Sequence, residues 1–423
     1  MIYNLIILVF ALIYLPIYLC KRKFHPDFKM RLGILPPGLE LHSPIWIHAV
    51  SVGEVMAVRN LIKDLRIAYP EKRFFITTVT PTGNRIAKGI ASETDFVSYL
   101  PLDFSFVVRR VVDKIKPELF IILETEIWPN LLAYLYRKNI PVILVNARIS
   151  DRSFRGYLSI KFLLRPLLNK IDLFCVQTQG DAQRLMRLGV VKNRIEITGN
   201  MKFDIADDTN LKPDAADFRL KLGLQAQERL LVCGSTHPGE EEIILDVYKK
   251  LLAEFPGLKL LIAPRHPERA TQIEQMVSGL GFQPVLVSQL PLKSRNVRAV
   301  FILDTIGQLV YFYRLADIVF VGGSLIKKGG HNILEPASLG KPIICGPHMF
   351  NFRDIAGLFW ENKAAVFIRN KEELEINIRD LLNNPYRMDE LGQRARALLS
   401  QNQGATARNL GYISNYISTK EGG

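Results

Sequence analysis

Most of the usual marks of a dedicated chemistry are missing from this chain. Its 423 residues hold four cysteines, Cys20, Cys175, Cys233 and Cys345, widely spaced and without a CxxC pair. Neither a zinc site nor a disulfide framework is indicated. Three of the four sit in or beside apolar strand-like runs, which fits buried, reduced thiols in a cytosolic compartment. There is no Asp-x-Asp, no HExxH, no Walker-type GxxxxGK and no GxSxG. A metal-dependent transferase and a P-loop enzyme are thereby disfavoured, and no metal site is expected. Acid is in deficit, 41 Asp and Glu against 55 Lys and Arg, a net charge of +14. The aromatic residues do not interleave with the basic ones on any one stretch, so nucleic acid is not the expected partner. Internal repeats and low-complexity tracts are lacking too.

What remains is long, apolar and basic. At this length two domains of roughly 200 residues are the default, and 48% hydrophobic residues can fill two cores. The cationic excess then points to an anionic membrane surface or to phosphorylated ligands. The N-terminus narrows that choice. Ile2 to Cys20 carries no charge, and Lys21-Arg22-Lys23 follows at once. Such a run is just long enough to span hydrocarbon, and the cations behind it predict the N-terminus outside and the body in the cytoplasm. A cleaved signal peptide has its cations before the apolar run, so the segment reads as an anchor. A buried N-terminal helix is the plainer alternative. Lys29 and Arg31 extend a basic collar that would meet anionic lipid.

From residue 44 short apolar runs alternate with helical stretches. Ile45–Ser51, Phe74–Thr80, Leu119–Leu123, Val142–Val145, Leu173–Val176 and Ile195–Thr198 read as strands. The pattern breaks between Met201 and Pro213, which reads as a linker. A second series follows: Leu230–Cys233, Leu258–Ile262, Val285–Val287, Val300–Leu303, Ile318–Val321 and Pro342–Cys345. Strands alternating with helices imply parallel sheets covered on both faces. The expectation is α/β: two doubly wound, Rossmann-like domains with a cleft between them. The anchor takes 1–20, the N-terminal domain 21–205 and the C-terminal domain 206–423.

Ligands of such sheets bind at the carboxyl ends of the strands, and those ends carry the polar residues. The first strand leads into His48-Ala-Val-Ser-Val-Gly-Glu54, with Gly53 allowing a tight turn and Glu54 at a helix start. A capping carboxylate reads the same way. Leu123-Glu-Thr-Glu-Ile-Trp-Pro-Asn130 places two carboxylates at a strand end, costly unless they have partners. Gly199-Asn-Met-Lys202 closes the first series, where a lysine is ordinarily just solvated. In the second series Gly234-Ser-Thr-His237, Pro264-Arg-His-Pro-Glu-Arg269 and Asp304-Thr-Ile-Gly-Gln-Leu309 each follow a strand, the last opening a helix with Asp304 or Thr305 as its cap. So does Val321-Gly-Gly-Ser-Leu-Ile-Lys-Lys-Gly-Gly-His-Asn-Ile-Leu-Glu335. Glycines opening onto a helix N-terminus suit an anion, with free N–H groups aimed at it and Asn332 as N-cap. Arg265 on a proline-fixed loop suits a phosphate, and Glu335 could accept from ribose hydroxyls. Ordinary βα turns, whose glycines serve only geometry, are the alternative.

In their order these motifs resemble the bacterial lipopolysaccharide-core 3-deoxy-D-manno-octulosonic acid (Kdo) transferase family, over essentially the whole chain. Gln308, where many members carry an acidic residue, is the mild departure. The resemblance implies a metal-independent, cofactor-free GT-B glycosyltransferase held at the bacterial inner membrane, with its catalytic domains facing the cytoplasm. It implies an N-terminal domain that binds a lipid A precursor (lipid IV-A) and a C-terminal domain that binds CMP-Kdo. Kdo would be transferred with inversion and CMP released. By the same resemblance Glu54 is the general base, and Glu124 and Lys202 stabilise the transition state. CMP would contact Ser235, Thr236, Pro264, Arg265, His266, Ile306, Gly307, Gln308, Asn332, Ile333, Leu334 and Glu335. Two other readings compete. One is another sugar-nucleotide enzyme, such as a transferase with a different donor or an epimerase. The other is a catalytically silent, membrane-tethered nucleotide-sugar-binding protein.

Overall fold

The computed structural model describes residues 3–4, 27–204, 215–291 and 298–417. Apart from Tyr3 and Asn4, the expected anchor, its basic Lys21-Arg22-Lys23 flank, Cys20 and most of the expected linker lie outside these residues. Among the described residues no helix is long and apolar enough to cross a membrane. Arg31, assigned above to the basic collar, instead donates to the Val79 carbonyl at 2.7 Å and lies over the Tyr99 ring.

The chain forms two compact units, one made of the residues up to Asp204 together with those from Asn402 on, the other of the residues between. The first unit is built on seven strands: β1 (Ile45–His48), β2 (Phe74–Thr78), β3 (Phe96–Tyr99), β4 (Leu119–Leu123), β5 (Val142–Ala147), β6 (Leu173–Val176) and β7 (Ile195–Ile197). They pair in the order β3-β2-β1-β4-β5-β6-β7, every pairing parallel. Successive side chains leave opposite faces of a strand, and here both faces are apolar. Trp46 packs with Phe75 and Phe120, ring centroids 5.1 and 4.7 Å away, in one core. Ile45 and Ile47 enter the other core with Val55, Val58 and Leu61 of the helix Val52–Ala68. Continuous apolar runs thus become central strands because helices cover both sides.

The second unit has β8 (Arg229–Thr236), β9 (Leu258–Pro264), β10 (Gln283–Leu286), β11 (Ala299–Ile302), β12 (Ile318–Val321), β13 (Ile343–Cys345) and β14 (Val366–Phe367). Their order is β10-β11-β9-β8-β12-β13-β14, again all parallel. The strand order turns back between β1 and β4 in the first sheet and between β8 and β12 in the second, where β11 is also inserted between β9 and β10. Loops leaving neighbouring strands diverge at such a point and open a crevice at the carboxyl edge. Cys175, Cys233 and Cys345 are free and buried on these strands, and burial pushes all three thiols up.

Two boundaries depart from the sequence reading. The residues from Asn402 on, expected in the C-terminal domain, belong to the first unit: Ala405, Ile413 and Ile417 are part of its core. Asp204 fixes the helix Ala405–Ser414 there, its carboxylate accepting from Gly404 N at 2.6 Å and Thr406 N at 2.5 Å. Arg408 donates to the Thr198 carbonyl, and Tyr412 to Glu196. The stretch expected to begin a linker at Met201 instead starts as a 3-10 turn, Met201–Phe203, with Met201 and Phe203 buried.

Candidate active site

In the first unit the groups of interest gather where β1 and β4 end. Glu54 lies in the first turn of the helix Val52–Ala68, and its carboxylate folds back to accept from Val50 N at 2.7 Å and Ser51 Oγ at 3.0 Å. Burial pushes its carboxyl up to about 7, opposed by the Val50 N–H and the Ser51 hydroxyl and reinforced by the nearby charges of Glu124 and Glu126. At neutral pH such a group is poised to take or hold a proton. Gly53, expected to be needed for a tight turn, has no positive φ, and a Cβ there would meet nothing closer than 4.0 Å. His48, at the end of β1, is fully buried and is held down at about 4, chiefly by that burial. Its Nδ1 lies 3.1 Å from the Thr77 carbonyl and hydroxyl oxygens.

Glu124 leaves β4 with φ +54°, the left-handed region that a non-glycine residue seldom occupies. Its N–H still donates to the Val145 carbonyl, and its carboxylate accepts from Lys202 Nζ at 2.9 Å. The pair is about a quarter exposed, so its net stabilising effect is small and its use is to fix two charges. Lys202 reaches Glu124 because Asn146, also left-handed at φ +54°, accepts from Met201 N at 3.0 Å and pins the 3-10 turn. Burial raises the Glu126 carboxyl, and the charge on Glu124 adds to it. Glu54, Glu124 and Lys202 are thus collected at one sheet edge.

The second unit corrects one expectation about anion binding. The N–H groups of Gly323, Ser324 and Leu325, after β12, are already used: all three donate to Glu240, at 2.7 to 3.0 Å. His237 N donates to the same carboxylate at 3.1 Å. Burial pushes Glu240 up, against those four N–H groups. The turn therefore carries its own anion, and the place for another lies beside it. Asn332 is not the N-cap: the helix Leu334–Ser338 is capped at Ile333. Asn332 still accepts from Leu334 N and donates to Glu335 Oε1, both at 3.1 Å. The Glu335 carboxyl is raised by burial, against Asn332 and the Arg265 charge. Ile333 and Leu334 bury their side chains.

The remaining candidates follow their strands. Ser235, at φ +57°, and Thr236 end β8, and Thr236 turns inward to donate to Glu241, which also receives Arg269 at 2.7 Å. Pro264 is buried at the end of β9; Arg265 and His266 beyond it are exposed. Arg265 N donates to the Thr236 carbonyl at 2.9 Å, bringing these two loops together. Past β11 the helix starts at Leu309 rather than at Asp304. Asp304 instead accepts from Ser288, and Thr305 donates to Gln308 at 2.8 Å. Ile306 is 87% exposed, next to Gly307 at φ +85°. Overlooked in the sequence were Glu240, Glu241 and the pairing of His237 with His331, contacts that no local spacing announces.

A family model described as "3-Deoxy-D-manno-octulosonic-acid transferase (kdotransferase)" matches residues 26–205. The 3-deoxy-D-manno-octulosonic acid transferase of Haemophilus influenzae is 38% identical over 375 residues, covering 88% of this chain and 87% of its own. That of Chlamydia trachomatis serovar A is 32% identical over 389 residues, covering 90% and 88%. Among solved structures, a glycosyltransferase from Rickettsia africae covers 90% of this chain and all of its own, at 14% identity and a TM-score of 0.56. That last likeness speaks to the fold alone, which is GT-B. With two parallel sheets of this kind and relatives that extend over both, the chain belongs to the 3-deoxy-D-manno-octulosonic acid transferase family of glycosyltransferases.

Proposed function

We propose that this Kdo transferase moves Kdo from CMP-Kdo to a hydroxyl of a lipid A precursor, lipid IV-A, inverting the anomeric centre and releasing CMP. The observation that carries the mechanism is Glu54, a buried carboxyl raised to about 7 beside a sheet's turning point. Glu54 takes the proton of the acceptor hydroxyl as that oxygen attacks the anomeric carbon. The bond from this carbon to the phosphate oxygen breaks, its electron pair leaves with CMP, and Glu54 ends protonated. Lys202 offsets the negative charge that grows on the leaving phosphate, and Glu124, 2.9 Å from its Nζ, orients it.

In the second unit Arg265 contacts the phosphate, with Ser235, Thr236, Pro264 and His266 around it. Asn332, Ile333, Leu334 and Glu335, with the Ile306-Gly307-Gln308 turn, hold the nucleoside. Ile333 and Leu334 contribute backbone only, because their side chains are core. We place the enzyme at the cytoplasmic face of the bacterial inner membrane, anchored through residues 2–20, and expect transfer to proceed without metal, unaffected by EDTA.

The base must be ionised to act, so kcat/KM should fall as pH drops below about 7 and level off above it. Glu54→Gln should remove turnover while leaving calorimetric CMP affinity within roughly twofold of wild type. A pH profile flat between about 5.5 and 8, or a Gln variant with near wild-type rate, excludes Glu54 as the base.

A further inference from the structure

His237 follows β8 and His331 follows the turn after β12, on either side of the second sheet's turning point. Their Nε2 atoms are 2.9 Å apart, the ring planes differ by 8° and the centroids are 5.1 Å apart. Nitrogens that close with centroids that far place the rings end to end in nearly one plane. They form a hydrogen-bonded pair, not a face-to-face stack. The surroundings build this pair. A Cβ on Gly323 would come 3.0 Å from His331 Cδ2 and 3.4 Å from His237 Cδ2, so a bare backbone lies against both rings. His237 N–H is held by Glu240, and Gly330 N–H donates to the Gly323 carbonyl at 2.8 Å, fixing the loop that carries His331.

The contact limits the charge the rings can share. One Nε2 must donate and the other accept, and two imidazolium rings would set N–H against N–H. The pair is therefore neutral or holds one extra proton. Arg265 and His266 act on both rings, Lys328 and Arg269 on His237. On the acidic side, Glu240 is shared among four backbone N–H groups, Glu335 is partnered by Asn332, and Glu268 lies 3.6 Å from His266. Burial, with these cations, keeps both rings below their usual range, His331 at about 4. An oxyanion arriving among the cations would be attracted to them and would cancel much of what keeps the pair neutral.

We propose that the His237–His331 pair recognises the oxyanion of the donor, drawing one proton from solvent as the anion binds and presenting it as a charged N–H. The inference rests on the reading of this unit as the donor site. The donor offers two such groups, the phosphate and the sugar carboxylate. The pair is a binding element, separate from the base in the first unit.

The test is calorimetry of the full chain with CMP, in buffers of different ionisation enthalpy, for wild type, His331→Gln and His237→Gln. Glutamine keeps one donor and one acceptor but cannot take the proton. At about pH 6.5 wild type should bind roughly 0.8 to one proton more per CMP than either variant, and bind CMP at least about fivefold more tightly, a gap that closes towards about pH 8.5. If the extra proton appears only when Kdo is added to the CMP-saturated protein, the carboxylate is the group recognised. Equal proton counts in all three proteins with both ligands overturn the proposal and leave the donor site standing. A wild-type affinity independent of pH for CMP and for Kdo alike, once the titration of CMP itself is subtracted, overturns it without recourse to a variant. No binding of CMP by wild type overturns the donor reading as well.

Discussion

At the scale of single residues, the site sets an ion pair beside a buried carboxyl. Lys202 and Glu124 stay paired at an exposed edge, whereas Glu54 is buried beside two other carboxylates and is raised for that reason. A carboxyl raised in this way costs folding free energy progressively as pH rises from its unfolded value to its folded value, and fully above that, because the unfolded chain ionises it more readily. Arg265 is the opposite case, exposed and close enough to Glu335 to oppose the rise that burial imposes on it. Arg265→Ala should weaken CMP binding by about 1.5–3 kcal/mol, the usual scale of a hydrogen bond to a charged group. Isothermal titration reads this directly, and an unchanged Kd removes Arg265 from the phosphate contact. Position past an apolar run drew attention to Glu54, Glu124 and Lys202, but it was the family resemblance that singled them out from capping or solvated groups. Neither could name Glu240 as the occupant of the glycine turn, since that contact joins residues more than eighty positions apart. The glycines are real, but the N–H groups of Gly323, Ser324 and Leu325 are taken.

At the scale of elements, strands with uninterrupted apolar runs were the legible ones. β3 and β14 were missed for a physical reason. Phe96-Val-Ser-Tyr99 and Val366-Phe367 are edge strands with one neighbour each, so they need less apolar sequence to hold their place. Helix starts were read one turn early at Asp304, where the side chain caps a loop through Ser288 instead. The helix Ala405–Ser414 is amphipathic, and nothing local says which core it covers. Asp204 decides it by capping that helix from two hundred residues away. Asp204→Ala should free the helix by roughly 1–2 kcal/mol, the range of a lost N-cap. Amide exchange across residues 405–414 would then quicken about five- to thirtyfold. Unchanged protection there would mean that core packing alone holds the helix.

At the scale of the whole molecule, the chain repeats one solution twice: a seven-stranded parallel sheet whose order turns back beside its first strand, with the polar residues at the turn. This was legible, because two series of apolar runs separated by a polar stretch have few other folds open to them. Where the first unit ends was less so, since its last helix comes after the second. The net charge of +14 and the uncharged N-terminal run give the account its membrane component. Removing residues 1–20 should release the protein from sedimented membranes while sparing transfer to detergent-dispersed acceptor. Sedimentation of the truncated chain at the wild-type level would show that the anchor is not what holds it.

The central claim is the reaction itself, and a product assay tests it most directly. Purified wild type and Glu54→Gln would be given CMP-Kdo and tetra-acylated lipid A precursor in EDTA, and the lipid weighed by mass spectrometry. The account predicts that the wild-type lipid gains mass in Kdo-sized steps and that the variant leaves it unchanged. An unchanged lipid with the wild-type enzyme, while CMP still binds, would contradict it.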